Sequence, residues 1–329
     1  MGIGRRRFVL ASGGAAGLVV LGAALSSGRS RLSRRTSNAL GTEVSITVLH
    51  ADANAANRAI DAAFAEIEQV EAVLSIYRLE SELRRLNRDG VLNCPHPYLL
   101  EVLQYAAATS RRTDGAFDIT VQPLWDVYAR AQRRGELPLV DQVDAALQRV
   151  GWRKVEVHHD RVQLAAGMQI TLNGIAQGFA ADRALAALQA GGIEHALIDA
   201  GEVAPLGAKA AGVPWRAGIA HPRVDDAYIA LAQLDRRCLA TSGDYSTKFS
   251  GDARLHHIFD PRSGSSPSEL ASVSVVAPSA MAADAISTAC FVLGPRRAEQ
   301  VIQELPDVDA LFVLKDGRVL KTDHFPLDA

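Results

Sequence analysis

The sequence predicts an α+β fold in which antiparallel or mixed sheets pack against helices as a single compact unit. The 329 residues are 48% hydrophobic, which is enough apolar material for one large core. Strand-like runs cluster in the second half of the chain and do not alternate regularly with helices, as a βαβ fold would require. The helices of the first half carry apolar stripes suited to covering a sheet.

The amino terminus, residues 1–35, is predicted to be a targeting segment. It contains seven arginines and no acidic residue, and it encloses a mildly apolar run from Phe8 to Leu25. The start, Arg5-Arg6-Arg7-Phe8, resembles a twin-arginine export signal, and Gly22-Ala23-Ala24 offers a cleavage site. An uncleaved membrane anchor is the alternative, although the run is short and diluted by glycine.

The expected location is therefore the periplasm or the outer face of the cytoplasmic membrane, with membrane contact through the signal segment or a membrane-bound partner. No cysteine follows the apolar run closely, so lipid attachment is not expected. The stretch from Arg29 to Ser37 is interpreted as a flexible lead-in. One folded domain is expected over residues 36–329.

The chain beyond the targeting segment is acidic. When the seven arginines of the segment are left out, 28 of the 35 Lys and Arg residues remain. They stand against 37 Asp and Glu residues, which gives a formal charge of −9. This balance excludes nucleic acid as a partner, and it means that phosphates must be neutralised locally, for example by a metal ion. The three cysteines show neither zinc-site spacing nor a disulfide framework, and we expect mostly buried thiols.

The first half of the domain contains one clear strand and two helices. Side chains alternate from Glu43 to Leu49, which predicts the opening strand. Apolar residues at three- and four-residue spacing between Ile60 and Leu74 predict an amphipathic helix. A second helix is expected from Pro97 to Arg112, ended by a turn at Gly115. The polar stretch from Arg130 to Asp144 is interpreted as an exposed excursion.

The second half is predicted to be rich in strands. A helix from Ile175 to Gln189 interrupts them, and an Asp316-Gly317 turn predicts a hairpin from Leu311 to Leu320. The expected strands are Lys154 to Val157, Gln163 to Leu164, Met168 to Leu172, Ala196 to Ile198, Trp215 to Ala220, Ile229 to Leu234, Cys238 to Thr241 and Val273 to Ala277.

Asp284 and Thr288 form the most informative pair of side chains. They follow an apolar strand and a Pro278-Ser279 breaker, so they are expected near the start of a helix. An acid and a hydroxyl four residues apart lie on one helical face. Such a small set of oxygens suits magnesium better than zinc, with substrate phosphates as further ligands.

The segment from Thr171 to Asp182 leads a strand into a helix through Gly174 and Gly178. This junction allows a phosphate to approach backbone amides, or a carbonyl to face a metal. The glycine spacing matches neither a P-loop nor a Rossmann fingerprint. The alternative is that both glycines serve only tight packing between a helix and a sheet.

Two further segments carry candidate side chains. After Gly115, Phe117 is a core residue or a cofactor contact, and Asp118 caps a turn or binds a ligand hydroxyl or amine. Thr241 and Ser242 present hydroxyls to a phosphate, and Arg262 suits a two-point phosphate contact. His257 is a candidate acid or base, with a structural role as the alternative. His256 is a weaker candidate.

Together these segments resemble the ApbE-type FAD:protein FMN transferases. The matching stretches cover nearly everything after the signal and occur in one order: Leu40 to Thr42, Ser75 to Leu83, Gly115 to Thr120, Asn173 to Asp182, Trp215 to Pro222, Ala240 to Gly243, His257 to Gly264, and Asp284 to Thr288. The resemblance implies a T-fold-like α+β architecture that binds FAD and magnesium. It also implies transfer of FMN from FAD to a threonine hydroxyl of a target flavoprotein, with release of AMP.

The resemblance also implies roles for particular residues. The magnesium would be held by the Gly174 carbonyl, Asp284 and Thr288, and His257 would steer or accept the proton of the acceptor hydroxyl. The flavin nucleotide would be contacted by Leu40, Tyr77, Ala116, Phe117, Asp118 and Gln177, besides Thr241, Ser242, His257 and Arg262.

Three positions depart from the family pattern. Gln177 stands where lysine or glutamate is common, Leu40 replaces a frequent methionine, and Glu202 occupies the place of a second glycine. Glu202 is expected to narrow the cleft or repel phosphate. Two alternative functions therefore stay open, namely an FAD pyrophosphatase that releases FMN and AMP, and a flavin-binding protein without chemistry.

Overall fold

A computed structural model of the chain describes residues 31–209 and 212–328, and the predicted signal run lies outside this part. The helices are α1 (Ala53–Leu74), α2 (Glu82–Asp89), α3 (Pro97–Arg112), α4 (Gln122–Arg133), α5 (Val140–Leu147), α6 (Ala176–Ala190), α7 (Ala280–Leu293) and α8 (Pro295–Gln303). The strands are β1 (Arg31–Ala39), β2 (Thr42–His50), β3 (Val91–Asn93), β4 (Glu156–Val157), β5 (Arg161–Gln163), β6 (Ala196–Asp199), β7 (Val203–Leu206), β8 (Trp215–Ala220), β9 (Tyr228–Leu234), β10 (Cys238–Gly243), β11 (Leu270–Ala277), β12 (Asp309–Leu314) and β13 (Val319–Lys321).

An eight-stranded sheet organises the described part of the chain. Its strand order is β1-β2-β6-β7-β10-β11-β12-β13, and each neighbouring pair is antiparallel. Every residue of β11 is buried, because this strand is covered on both faces of the sheet. These observations confirm the α+β class with antiparallel sheets packed against helices.

The two faces of the large sheet are covered differently. Apolar side chains of α1, α6, α7 and α8 pack on one face. The β8–β9 hairpin covers the other face, where Trp215 and Ile219 join Leu197 and Val276 in a separate apolar cluster. Hydrophobic burial on both faces accounts for the run of consecutive apolar residues in the central strands.

Helices α6 and α7 approach each other unusually closely. A Cβ atom placed on Gly178 would lie 2.3 Å from the Ala280 carbonyl oxygen, so only glycine permits this distance. The Asp182 carboxylate accepts hydrogen bonds from the Ala280 and Met281 amides at 2.8 and 2.9 Å, which satisfies the free donors at the start of α7. Ser279 adds a side-chain cap to the Ala282 amide.

Most predicted elements are present. The interpretation of Arg29 to Ser37 as a flexible lead-in is wrong for residues 31–37, which are the part that the structure describes. Residues 31–39 form β1, which pairs along its whole length with β2 and crosses the boundary expected at residue 36. Its side chains are mostly exposed, so the sequence shows no apolar alternation there. Backbone pairing with a neighbouring strand decides its conformation.

The strand predicted from Met168 to Leu172 is also absent. Its backbone amides bond elsewhere, with Ile170 donating to the Asn87 side chain and Thr171 donating to the Ile119 carbonyl. The region 130–144 is largely exposed as expected, although α4 and α5 extend into it. Cys238 and Cys290 are buried, whereas Cys94 is exposed. Within the described residues, no helix is both long and apolar enough to cross a membrane.

Candidate functional site

The predicted Asp284 and Thr288 side chains lie where α6, α7 and β10 converge. The Gly178 amide at the start of α6 donates a hydrogen bond to Asp284 Oδ2 at 3.2 Å. On β10, Ser242 Oγ lies 2.8 Å from Ser287 Oγ and 3.3 Å from Thr288 Oγ1. Three segments distant in the sequence thus present a carboxylate and a group of hydroxyls at one place.

Gly174 lies directly against Thr288. A Cβ atom on Gly174 would be 2.8 Å from Thr288 Oγ1, so a side chain at this position would displace the hydroxyl. The structure thus brings together the three predicted metal-binding residues, Gly174, Asp284 and Thr288. Gly178 instead fits the packing alternative, because its lack of a side chain permits close contact. The contact is between helices α6 and α7, and not between a helix and a sheet.

Burial raises the pKa values of two carboxyl groups, Asp284 and Glu202. Asp284 is 5% exposed, and burial raises the pKa of its carboxyl to about 7, opposed by the Gly178 amide and reinforced by the charge of Asp182. Glu202 is 6% exposed, and burial raises its pKa well above the ordinary value, with further contributions from Asp284 and Asp199. The site therefore contains buried carboxyls that favour a cation or a proton nearby.

His257 and His256 have different surroundings. The Nδ1 atom of His257 is buried without a protein hydrogen-bond partner, and burial lowers the pKa of this histidine. His256 is fully buried, its Nε2 lies 3.1 Å from the Pro267 carbonyl oxygen, and burial lowers its pKa to about 4. His256 is thus a neutral structural histidine, whereas His257 has a buried ring nitrogen that no described protein group satisfies.

Two of the predicted phosphate contacts are occupied by neighbouring side chains. Thr241 Oγ1 lies 2.8 Å from Ser274 Oγ. Arg262 forms a two-point ion pair with Asp260, at 2.8 Å from Nε and 2.9 Å from a terminal nitrogen. A phosphate contact from Arg262 would therefore require this exposed pair to rearrange.

The Ala116-Phe117-Asp118 segment is buried. Phe117 belongs to the main apolar core and Ala116 to the cluster around α7. Asp118 accepts hydrogen bonds from the Thr120 amide and hydroxyl and from the Trp152 amide, and burial raises its pKa. The Asp118 side chain thus caps a turn, which is one of the two roles considered from the sequence.

The remaining predicted contacts are Tyr77, Gln177 and Leu40. Tyr77 is 58% exposed, and its hydroxyl accepts a hydrogen bond from Asn173 at 3.2 Å. Gln177 lies against Gly201, since a Cβ atom there would be 3.2 Å from Gln177 Nε2. Leu40 lies in the β1–β2 turn, at the end of β2 that faces the residues following Asp199.

The donor set fits a hard cation with few protein ligands. Among the described residues, no three His, Cys, Asp or Glu side chains are grouped as metal ligands. The cluster instead offers a carboxylate, a hydroxyl and the backbone of Gly174. Oxygen donors of this kind suit magnesium, which keeps waters or phosphates in its remaining positions.

Sequence reasoning missed the roles of Ser287 and Asp182. Ser287 precedes Thr288 and lies three residues after Asp284, so helical spacing alone would have placed it on the same face. Asp182 lies 98 residues before the Ala280 amide that it binds, and nothing local signals that contact. No local sequence signal indicates the burial of Glu202 either, although this residue stands where the family pattern has a glycine.

Comparisons with known proteins point to one family. A family model described as the ApbE family matches residues 40–312. The FAD:protein FMN transferase of Treponema pallidum is 34% identical over 284 residues, covering 79% of this chain and 78% of the relative.

Two solved structures share the fold. An ApbE protein from Thermotoga maritima has a TM-score of 0.81 and 30% identity, covering 89% of this chain and 97% of that chain. The flavinyl transferase ApbE of Pseudomonas stutzeri in its apo form has a TM-score of 0.79 and 30% identity, covering 91% and 96%.

Proposed function

The chain belongs to the ApbE family of flavin transferases, and we propose that it moves the FMN part of FAD to a threonine hydroxyl of an acceptor protein. In this reaction a bond forms between the threonine oxygen and the FMN phosphorus. The bond between that phosphorus and the AMP oxygen breaks, and AMP leaves. The single observation that carries the proposal is the convergence of Gly174, Asp284 and Thr288 beside the Ser242 hydroxyl.

The metal in this proposal is magnesium, held by the Gly174 carbonyl, Asp284 and Thr288. Their oxygens match its preference for hard ligands, and Asp284 supplies the negative charge. When bound, magnesium would withdraw charge from the pyrophosphate during cleavage and orient the reacting groups. Asp284 acts as a ligand and not as a base, because its carboxylate lone pairs are directed to the cation.

The protein groups around this position bind and orient the pyrophosphate. The start of α6 is suited to phosphate oxygens because the positive end of its helix dipole lies there, while its Gly178 amide holds Asp284. Ser242 adds a hydroxyl from β10. Tyr77, Leu40 and Gln177 are proposed to contact the nucleotide.

His257 is proposed to receive the proton of the attacking threonine. Burial lowers its pKa, so the ring is neutral at pH 7 and has a nitrogen lone pair to offer. Its Nδ1 is buried without a hydrogen-bond partner among the described protein atoms, and this unsatisfied nitrogen is what marks the ring as the candidate base. A positioned base of this kind typically contributes about 10²- to 10⁴-fold to rate.

The test is incubation with FAD, magnesium and a candidate acceptor flavoprotein, followed by mass spectrometry of the acceptor. The proposal expects the acceptor to gain one FMN group and AMP to appear in equal amount. An acceptor with the threonine replaced by valine serves as the control and should stay unmodified. Free FMN with an unmodified acceptor would indicate a pyrophosphatase, and unchanged FAD would indicate a binding protein. Either result would reject the transferase proposal.

We also propose export by the twin-arginine route, on the basis of the Arg5-Arg6-Arg7 run. The acceptor would then be an exported or membrane-bound flavoprotein. Replacing Arg5, Arg6 and Arg7 by lysine should retain the protein in the cytoplasm, as measured by cell fractionation. Unchanged periplasmic recovery would contradict this route.

A further inference from the structure

Glu202 is a buried carboxyl with an unused oxygen. It lies in the turn between β6 and β7, where the Ala200 amide donates to the Glu202 carbonyl at 3.0 Å. The residue is 6% exposed, and its Oε2 has no hydrogen-bond partner among the described protein atoms. A buried carboxylate oxygen without a donor is costly, so this oxygen favours a proton or a cation beside it.

Neighbouring contacts place this turn against the Asp284 cluster. Gly201, directly before Glu202, lies against the Gln177 side chain. The next residue of α6, Gly178, donates its amide to Asp284. The turn that carries Glu202 and the amide that holds Asp284 are therefore adjacent, and the unpartnered Glu202 oxygen is buried beside them.

We propose that Glu202 is a second carboxylate ligand for the divalent cation, so that this chain binds the ion before the nucleotide arrives. The proposal rests on the proposed function, because it concerns the same cation. With Asp284 alone, one protein charge holds the ion and the FAD pyrophosphate must supply the rest. With Glu202 added, two protein carboxylates neutralise a divalent ion in a buried environment.

This role distinguishes the chain from a site with glycine in the same place. A glycine adds no charge, so the nucleotide would have to neutralise more of the charge of the cation. Glu202 instead converts cation binding into a separate first step. It also reduces the positive charge that the ion presents to FAD, because a second carboxylate offsets it.

The experiment is titration of the nucleotide-free protein with Mn²⁺ at pH 8, followed by electron paramagnetic resonance of the free ion. The wild-type chain is expected to bind one Mn²⁺, and Glu202→Gln should weaken binding by at least tenfold. Glu202→Asp keeps the charge and should recover part of the affinity. Glu194→Gln is an exposed control outside the cluster and should behave as wild type.

A second measurement covers the case in which Glu202→Gln does not fold. The melting temperature of the wild type and of Glu202→Gly is measured with and without Mg²⁺, and only the wild type should gain stability from the ion alone. Equal Mn²⁺ affinity in wild type and Glu202→Gln, or no binding by the wild type without FAD, would overturn the proposal. Either result would mean that Glu202 is not a ligand of the cation.

The outcomes separate this inference from the proposed function. Unchanged cation affinity in Glu202→Gln together with flavin transfer by the wild type would reject only the role of Glu202. Cation binding that depends on Glu202, without any transfer to an acceptor, would reject only the transferase reaction.

Discussion

At the residue scale, Asp284 and His257 have unequal expected effects on the reaction. Asp284→Asn removes the ligand charge but keeps an oxygen for the Gly178 amide, so the fold should persist. Flavin transfer should then fall by more than about 10⁴-fold, whereas His257→Asn should lose about 10²- to 10⁴-fold, the range of proton transfer. The measurement is the rate of AMP release with a saturating acceptor.

Asp252→Asn is a suitable control for that pair, since Asp252 is exposed in a loop and bonded to Ser250. It should retain the wild-type rate. If Asp284→Asn released AMP as fast as His257→Asn, Asp284 would not be the ligand on which the reaction depends.

A second residue-scale prediction concerns acid stability. His256 has a pKa near 4 in the folded chain and about 6.5 when unfolded, so the unfolded state binds more protons between these values. The contribution of neutral His256 to the free energy of unfolding is therefore fully present above pH 6.5. It decreases by about 3 kcal/mol as the pH falls from 6.5 towards 4. The nearby Lys315, His257 and Asp244 charges modify this value.

The measurement is urea unfolding of the wild type and His256→Gln at several pH values from 7 to 4. The variant should be less stable at pH 7, and its stability should depend less on pH in this window. His159→Gln, at a side chain that is 93% exposed, should keep the wild-type slope. Identical slopes for wild type and His256→Gln would show that His256 is not the titrating group.

At the scale of elements, the distance between α6 and α7 determines the geometry of the site. Gly178→Ala would place a methyl group 2.3 Å from the Ala280 carbonyl oxygen, so the helices must separate. The free energy of unfolding should fall by about 1 to 3 kcal/mol, which is typical of overpacking. Cation affinity should also fall, because the Gly178 amide moves away from Asp284.

Gly251→Ala is the matched control, because a Cβ atom there meets nothing within 4 Å. Unfolding curves and Mn²⁺ titrations would be recorded for both variants. A Gly178→Ala protein with wild-type stability and cation affinity would mean that the close helix approach does not position the site.

At the scale of the whole molecule, β1 closes one edge of the large sheet. A chain that begins at residue 40 lacks β1 and exposes the backbone edge of β2, whose Val44, Ile46 and Val48 are fully buried. Compared with a chain that begins at residue 31, it should be less stable and should associate through the open edge. Urea unfolding and size-exclusion chromatography measure the two effects. Equal stability of both chains would show that β1 adds nothing to the fold.

Much of the site was predictable because its signals are local. The spacing of Asp284 and Thr288 places them on one face of any helix, and Gly174 follows an apolar run that ends in a turn. The amphipathic pattern of α1 and the alternation in β2 likewise depend on neighbouring residues. The α+β class followed from the order of such segments.

The sequence by itself therefore determined the class of fold, the helical face that carries Asp284, and membership in a family of flavin transferases. Only the tertiary structure decided that β1 pairs with β2, that Asp182 caps α7, and that the Glu202 side chain is buried. The physical reason is that helix periodicity and turn chemistry act over a few residues. Strand pairing, burial and the electrostatic field of a carboxyl depend instead on which distant segments the folded chain brings together.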